Sequence, residues 1–244
     1  MKKLMLAANI LLASGCANIG GGVHWGYSGH QGPEHWEKLS PEFAVCSSGK
    51  NQSPINLTGF IEADLEPIGI HYQIGGNEIL NNGHTIQVNY APGSTISVGG
   101  HDFELKQYHF HAPSENHIKG ESYPMEVHFV HSDKDGNLAV IAVMFIEGEA
   151  NESLAQAWAF MPEKAGDKHS LSSSVSAEDI LPSNQNYYRF NGSLTTPPCS
   201  EGVWWFVMTE PMTASKTQIE KFAQLLHHPN NRPVQAINAR PVLK

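Results

Sequence analysis

Positive charge is scarce in this chain: 15 Lys and Arg stand against 24 Asp and Glu in 244 residues, a formal net charge of −9 with His neutral. That balance argues against nucleic acid or an anionic membrane surface as a partner, fits a soluble protein, and says nothing about chemistry. Internal repeats and low-complexity blocks are missing too. At 40% hydrophobic composition, the length therefore permits one large domain with a sizeable core. The apolar run from Leu4 to Leu12, broken by Asn9, is too short to span a bilayer. Cysteine is sparse and odd in number, with only Cys16, Cys46 and Cys199.

The short apolar run does have the layout of an export signal. Lys2 and Lys3 precede it, and Ala13-Ser14-Gly15 lead into Cys16. Small residues running into a Cys resemble a bacterial lipoprotein signal, in which Cys16 becomes the lipidated first residue. Ordinary cleavage nearby, for example after Ala17, is the alternative. Residues 1–16 accordingly read as a signal segment, 17–23 as a short Gly-rich tether, and 24–244 as the mature domain. The expected location is the periplasm, with membrane anchoring if Cys16 carries lipid. Cys16 accounts for the odd cysteine.

Histidine is abundant, 14 in all, so one His-x-His pair is expected by chance about once in such a chain. Context separates Gln107-Tyr108-His109-Phe110-His111 from chance. Tyr108 and Phe110 are strand formers, and a strand points 107, 109 and 111 to one face, with about 6.6 Å between alternate residues. The same alternation puts Glu126 and His128 together on a second strand over 125–131. Three His with a fourth position open is the donor set of catalytic zinc, since structural zinc is closed by four protein ligands. Gln107 and Glu126 each lie two residues before a proposed ligand, where they can accept the other ring N–H and fix the tautomer.

These residues, together with Ser114-Glu115 and the run Glu126-Val127-His128-Phe129-Val130-His131, resemble the alpha-class carbonic anhydrases, particularly their bacterial members. The resemblance runs from His24 to the end of the chain. It implies a mainly β, single-domain fold: a large, twisted, mostly antiparallel sheet, short peripheral helices, and zinc at the floor of a conical cleft. It implies zinc-dependent reversible hydration of carbon dioxide to bicarbonate and a proton, by attack of a zinc-held hydroxide. Sulfonamides and small anions would be inhibitors. Zinc ligands would be His109, His111 and His128, with Gln107, Glu126 and the Asn230 backbone carbonyl behind them. Glu115 and Thr195 would orient the nucleophile, Thr196 would supply a second hydroxyl, and Tyr27 would sit at the rim. Val130, Val140, Leu194 and Trp205 would form an apolar pocket suited to an uncharged substrate. His84, after the turn residues Asn82-Gly83, would be the proton shuttle. Cys46 and Cys199 match a disulfide of the bacterial and secreted members; the alternative is two buried thiols. Gln87 and Asn116 depart from residues common elsewhere in the family, which bears on water ordering and buried hydrogen bonding. The rival readings are a zinc-dependent esterase of small esters and a zinc-binding module without turnover.

Short alternating runs over 68–73, 85–89, 95–98, 104–111, 125–130 and 138–145 predict a β-rich domain. Ser53-Pro54 is a candidate cis bond. Ser215 and Gln218 spell a capping box for a helix over 215–226, and a shorter helix is expected over 152–160. Intact-mass analysis of membrane and soluble fractions should find a mature chain starting at Cys16 with added acyl mass. A start beyond Cys16 without that mass would remove the lipoprotein reading.

Overall fold

The structure, a computed structural model, describes residues 22–244, the side chains of 172–174 aside. Cys16, the rest of the expected signal segment and all but the end of the expected tether lie outside the described residues. An arm of 3₁₀ turns and short helices, α1 (Trp36–Leu39) and α2 (Val45–Ser48), opens the described chain. Thirteen strands follow: β1 (Asn56–Leu57), β2 (Gly69–His71), β3 (Gly76–Asn81), β4 (Ile86–Tyr90), β5 (Thr95–Val98), β6 (His101–His111), β7 (His117–Ile118), β8 (Met125–Ser132), β9 (Leu138–Glu147), β10 (Lys168–Val175), β11 (Tyr187–Ser193), β12 (Glu201–Met208) and β13 (Met212–Ala214). Helices α3 (Glu152–Trp158) and α4 (Lys216–Leu226) lie between β9 and β10 and after β13.

Eleven strands form one sheet, whose main path runs β10-β3-β4-β6-β8-β9-β12-β11. Pairing is antiparallel except where β12 and β13 run parallel to β9. The expected mainly β fold with few helices is therefore what the chain adopts. β1, β3, β7 and the strands from β10 onward lie outside the runs of alternation in the sequence. Of the run at 68–73, only Gly69–His71 pairs as a strand.

β9 explains how both faces of the sheet are filled. Ala139, Ile141, Val143 and Phe145 join the larger core with Phe110, Phe129, Trp158 and Phe222. Val140, Ala142 and Met144 join the second core with Ile55, Phe190 and Trp205. A strand buried on both faces reads as one continuous apolar run. α4 covers the first face, burying Phe222 and Leu226. It starts at the expected capping box, Ser215 Oγ accepting from Gln218 N and Gln218 Oε1 accepting from Ser215 N. Gln218 also bonds both backbone groups of Asn151, the N-cap of α3.

β6 carries a bulge that the sequence does not announce. Leu105 pairs with His131 and Gln107 with Val130, leaving Lys106 extra. Before it, the odd positions Phe103 and Leu105 face the larger core; after it, the even positions Tyr108 and Phe110 do. An inserted residue shifts the alternation by one, and this shift turns Gln107, His109 and His111 to the opposite face.

Cys46 and Cys199 form a disulfide across 153 residues of chain, as expected. Closing a loop of that length removes about 5 kcal/mol of chain entropy from the unfolded state, an upper figure. Ser53-Pro54 is cis, and so are Ala112-Pro113 and Pro197-Pro198.

His131 is wholly buried on the core face of β8. Its Nδ1 faces Ala139 O at 3.2 Å and its Nε2 faces Tyr72 Oη at 2.6 Å. The neutral ring satisfies both contacts, donating to one and accepting from the other. Burial pushes its pKa down to about 3. The unfolded chain, with an ordinary imidazole near 6.5, therefore binds the proton first as pH falls. Stability should drop between about pH 6.5 and 3 by up to about 1.4 kcal/mol per pH unit from this group. His131→Phe should flatten that dependence in urea unfolding at pH 7 and pH 5. At pH 7 it should cost about 1–3 kcal/mol, because it leaves the Tyr72 hydroxyl unpaired.

Candidate active site

Strand register assembles the site. On the face opposite the larger core, His109 on β6 lies directly across from His128 on β8, which lies across from Ala142 on β9. The neighbouring row on that face runs Gln107, Val130, Val140, Trp205, each the registered partner of the one before. Three of the four expected pocket residues thus form one row beside the imidazoles. Leu194 packs on the same apolar cluster, and the Trp205 ring stands edge-on to His128, centroids 4.9 Å apart.

One ring nitrogen of each His is held from behind. Gln107 Oε1 lies 2.8 Å from His109 Nδ1. Asn230 O lies 2.7 Å from His111 Nδ1. Glu126 Oε1 lies 2.9 Å from His128 Nε2. The acceptors at His109 and His111 fix tautomers whose lone pair is on Nε2, and the carboxylate beside His128 Nε2 favours the lone pair on Nδ1. Each ring places a donor nitrogen within 4.8 Å of the other two. His111 Nε2 is buried with no hydrogen-bond partner, an arrangement that costs free energy unless a cation takes the lone pair. Burial first, then repulsion from neighbouring rings, holds His109 and His128 well below the ordinary imidazole range. Burial lowers His111 as well, against the hydrogen bond to Asn230. Neutral imidazoles of this kind are metal ligands, and three of them with nothing else attached leave a position open.

Glu126 holds more than His128. Its fully buried carboxylate accepts from Glu115 N at 2.7 Å, Asn116 N at 2.9 Å and Asn116 Nδ2 at 2.8 Å. Asn116 Oδ1 in turn accepts from Ile55 N. Asn116 thus uses both ends of its amide in buried hydrogen bonds. Gln87 likewise donates to Asn89 and accepts from Asn82.

Glu115 is completely buried, with Oε2 3.4 Å from His111 Nε2. Burial pushes its carboxyl up to about 8, opposed by hydrogen bonds from Arg232 N and the Thr195 hydroxyl. The expected Thr195–Glu115 pair is thus in contact. Arg232 N lies 2.8 Å from Glu115 Oε1, a partner to which no local pattern points.

The segment bearing Thr195 and Thr196 is pinned from several sides. Ser53 and Ser193 exchange two hydrogen bonds, and a side chain at Gly192 would overlap Ser53 Oγ. Thr196 O accepts from Cys199 N. Gln52 Nε2 donates to Cys199 O, and the Arg232 guanidinium donates to Gln52 Oε1, Ser53 O and Cys46 O.

Tyr27 and His84 stand together at the N-terminal arm. Burial and then the Glu115 carboxylate raise the Tyr27 hydroxyl well above its ordinary value. The His84 ring is stacked on Trp25, centroids 3.8 Å apart and 5° from parallel, and burial lowers its pKa to about 4. An unperturbed imidazole would titrate near 6.5. A local reading of Asn82-Gly83-His84 could not see the tryptophan that covers the ring.

The family model described as eukaryotic-type carbonic anhydrase matches residues 31–244. The chain belongs to that family, the alpha carbonic anhydrases. It is 48% identical over 243 residues to a carbonic anhydrase of Pectobacterium carotovorum, covering 100% of both chains. A hyperthermostable carbonic anhydrase from an active hydrothermal vent chimney superposes with a TM-score of 0.89 at 56% identity, over 90% of this chain and 99% of that one. The alpha-carbonic anhydrase of Thermovibrio ammonificans, solved with the inhibitor sulfanilamide, gives 0.90 at 50% identity, over 92% and 100%. Within this family framework the donor set fits zinc: three neutral imidazoles, each fixed from behind, beside an apolar wall.

His109→Ala should abolish tight zinc binding while the domain stays folded, since the two apolar cores do not contain the imidazoles. Zinc content and circular dichroism of the purified variant check both halves. One zinc per chain in that variant would remove His109 from the ligand set.

Proposed function

We propose that this protein catalyses the reversible hydration of carbon dioxide to bicarbonate and a proton with zinc held by His109, His111 and His128. The observation that carries the reading is the convergence of three imidazole donors beside the Thr195–Glu115 hydrogen bond. Zinc, when bound, supplies a Lewis acid that brings the acidity of a water toward neutrality, an effect for which carbonic anhydrases are the reference case.

The protein's own residues supply direction. The Thr195 hydroxyl donates its proton to Glu115 and so can only accept from the attacking oxygen, which aims that oxygen's lone pair at the substrate carbon. Glu115 serves this as a carboxylate, and a cation beside it opposes the upward push of burial. The Thr195 N–H would face the substrate oxygen on which charge develops. Val130, Val140, Leu194 and Trp205 offer an uncharged substrate an apolar surface one row from the imidazoles. Tyr27 and Thr196 border the space. His84 is the first acceptor for the departing proton.

Export belongs to the same proposal. The Cys46–Cys199 bond fits an oxidising compartment such as the periplasm, with Cys16 as the lipid-bearing residue. A sulfonamide, like the one bound to the Thermovibrio ammonificans relative, should inhibit through its nitrogen beside Thr195.

Thr195→Ala should retain zinc and lose roughly 10²–10³ in kcat, the scale of removing one preorganised hydrogen bond at developing charge. Stopped-flow hydration assays on zinc-replete protein, before and after chelation, test the whole reading. Wild-type turnover in the variant would take Thr195 out of the mechanism, and zinc-replete protein without hydration activity would overturn the function itself.

A further inference from the structure

Three stretches of chain far apart in sequence converge beside His84. Its backbone is fixed: Asn82 Oδ1 accepts from His84 N and Thr85 N, Asn81 Oδ1 accepts from Gly83 N, and Asn230 Nδ2 donates to His84 O. Gly83 takes φ +85° in this turn, a conformation open to glycine. Only the ring of His84 is left to adjust. The N-terminal arm brings His24, ring centroids 6.4 Å away, and Tyr27, 6.5 Å away. The segment after α4 brings His228 against the Tyr27 ring at 6.2 Å. His24 is exposed and His228 half-buried.

The rings feel one another. After burial, the influences that lower His84 are repulsion from His24 and from His228. The loop over 162–167, which packs on the Asn81–Gly83 turn, carries Glu163, Lys164 and Asp167. None of those three is among the charges acting on His84.

A proton is poorly held on His84 in this position. With a pKa of about 4, its imidazolium is disfavoured at pH 7 by about 10³, the ratio set by three pH units. Efficient relays hold protons on groups matched to the working pH, so His84 serves better as a point of passage than as a resting place. His228 is arranged to receive. Its Nδ1 lies 3.0 Å from Pro229 O, which fixes the N–H there and leaves the Nε2 lone pair as acceptor.

We propose that His228 and His24 extend His84 into a three-imidazole proton relay, so that the proton released by hydration leaves through a shared cluster rather than on His84 alone. The proton adds to a neutral ring nitrogen, giving an imidazolium, and is lost from it to water or buffer, restoring the neutral ring. Because protonated neighbours repel, one proton occupies the cluster at a time. The proposal rests on the hydration reading above and adds His228 and His24 to it.

The test uses zinc-replete full-length protein and the variants His228→Ala, His24→Ala, His84→Ala and His84→Ala/His228→Ala. In weak buffer, His228→Ala should lower kcat roughly 2- to 5-fold with kcat/KM unchanged, because hydration precedes proton export. The double variant should fall below His84→Ala by a similar factor, and added imidazole should restore each. A merely structural role would not be rescued by buffer. Independently of activity, NMR titration of the His84 ring should show its midpoint moving upward in His228→Ala and in His24→Ala, as repulsion is relieved. Unchanged weak-buffer kcat in His228→Ala and His24→Ala, or an unmoved His84 midpoint in both, would overturn the relay. Absence of hydration in the zinc-replete wild type would instead overturn the function on which the relay rests, a result separable by kcat/KM in strong buffer.

Discussion

A slip of one residue between β6 and β8 would turn either His109 and His111 or His128 to the wrong face of the sheet, because side chains alternate with period two. The pairing of His109 with His128 is therefore the constraint on which the site depends. It is enforced by hydrophobic burial on the reverse face, where Tyr108, Phe110, Val127 and Phe129 occupy the larger core. The bulge at Lys106 makes this compatible with the earlier part of β6, whose Phe103 and Leu105 face that same core in the other phase. Burial of apolar side chains on one face thus sets the positions of polar ones on the other.

Polar groups drawn into that face are costly unless each is matched. Glu126 accepts three hydrogen bonds from the Glu115–Asn116 segment and faces His128, so one carboxylate fixes a ligand and the residue that meets Thr195. Asn230 does the same on the other side, holding His111 through its carbonyl and the backbone of Ala112 and His84 through its side chain. Arg232, two residues on, bonds Glu115 through its backbone and the Cys46 and Ser53 carbonyls through its guanidinium. The three imidazoles, the Glu115 carboxylate and the disulfide region are consequently one connected network. The apolar row Val130–Val140–Trp205 abuts it along the same sheet face, which places an uncharged surface next to the donors.

The mouth of the site follows a different logic. Aromatic stacking, not strand register, positions His84: Trp25 covers its ring and Tyr27 stands beside both His84 and His228. Covering an imidazole removes water from it and lowers its affinity for a proton. The same contact that orders the ring therefore makes it a weak proton acceptor in this position, and exposed neighbours gain importance.

The sequence by itself determined the features that depend on near neighbours. Alternation in 107–111 and 126–130 set which residues share a face, the Ser215–Gln218 spacing set the start of α4, and the resemblance of the motifs supplied the ligand set, the Cys46–Cys199 pairing and the Thr195–Glu115 pair. Strand period and helix capping act over two to four residues, so they leave a mark in the local order of residues. The tertiary structure decided the bulge at Lys106, the strands after residue 160, the hydrogen bond of Arg232 to Glu115, and the gathering of His24, Trp25 and His228 around His84. These join positions up to 204 residues apart, or depend on which core a side chain enters, and no local pattern encodes either. The proton affinity of His84 belongs with them, because desolvation is a property of what the rest of the fold lays over a side chain.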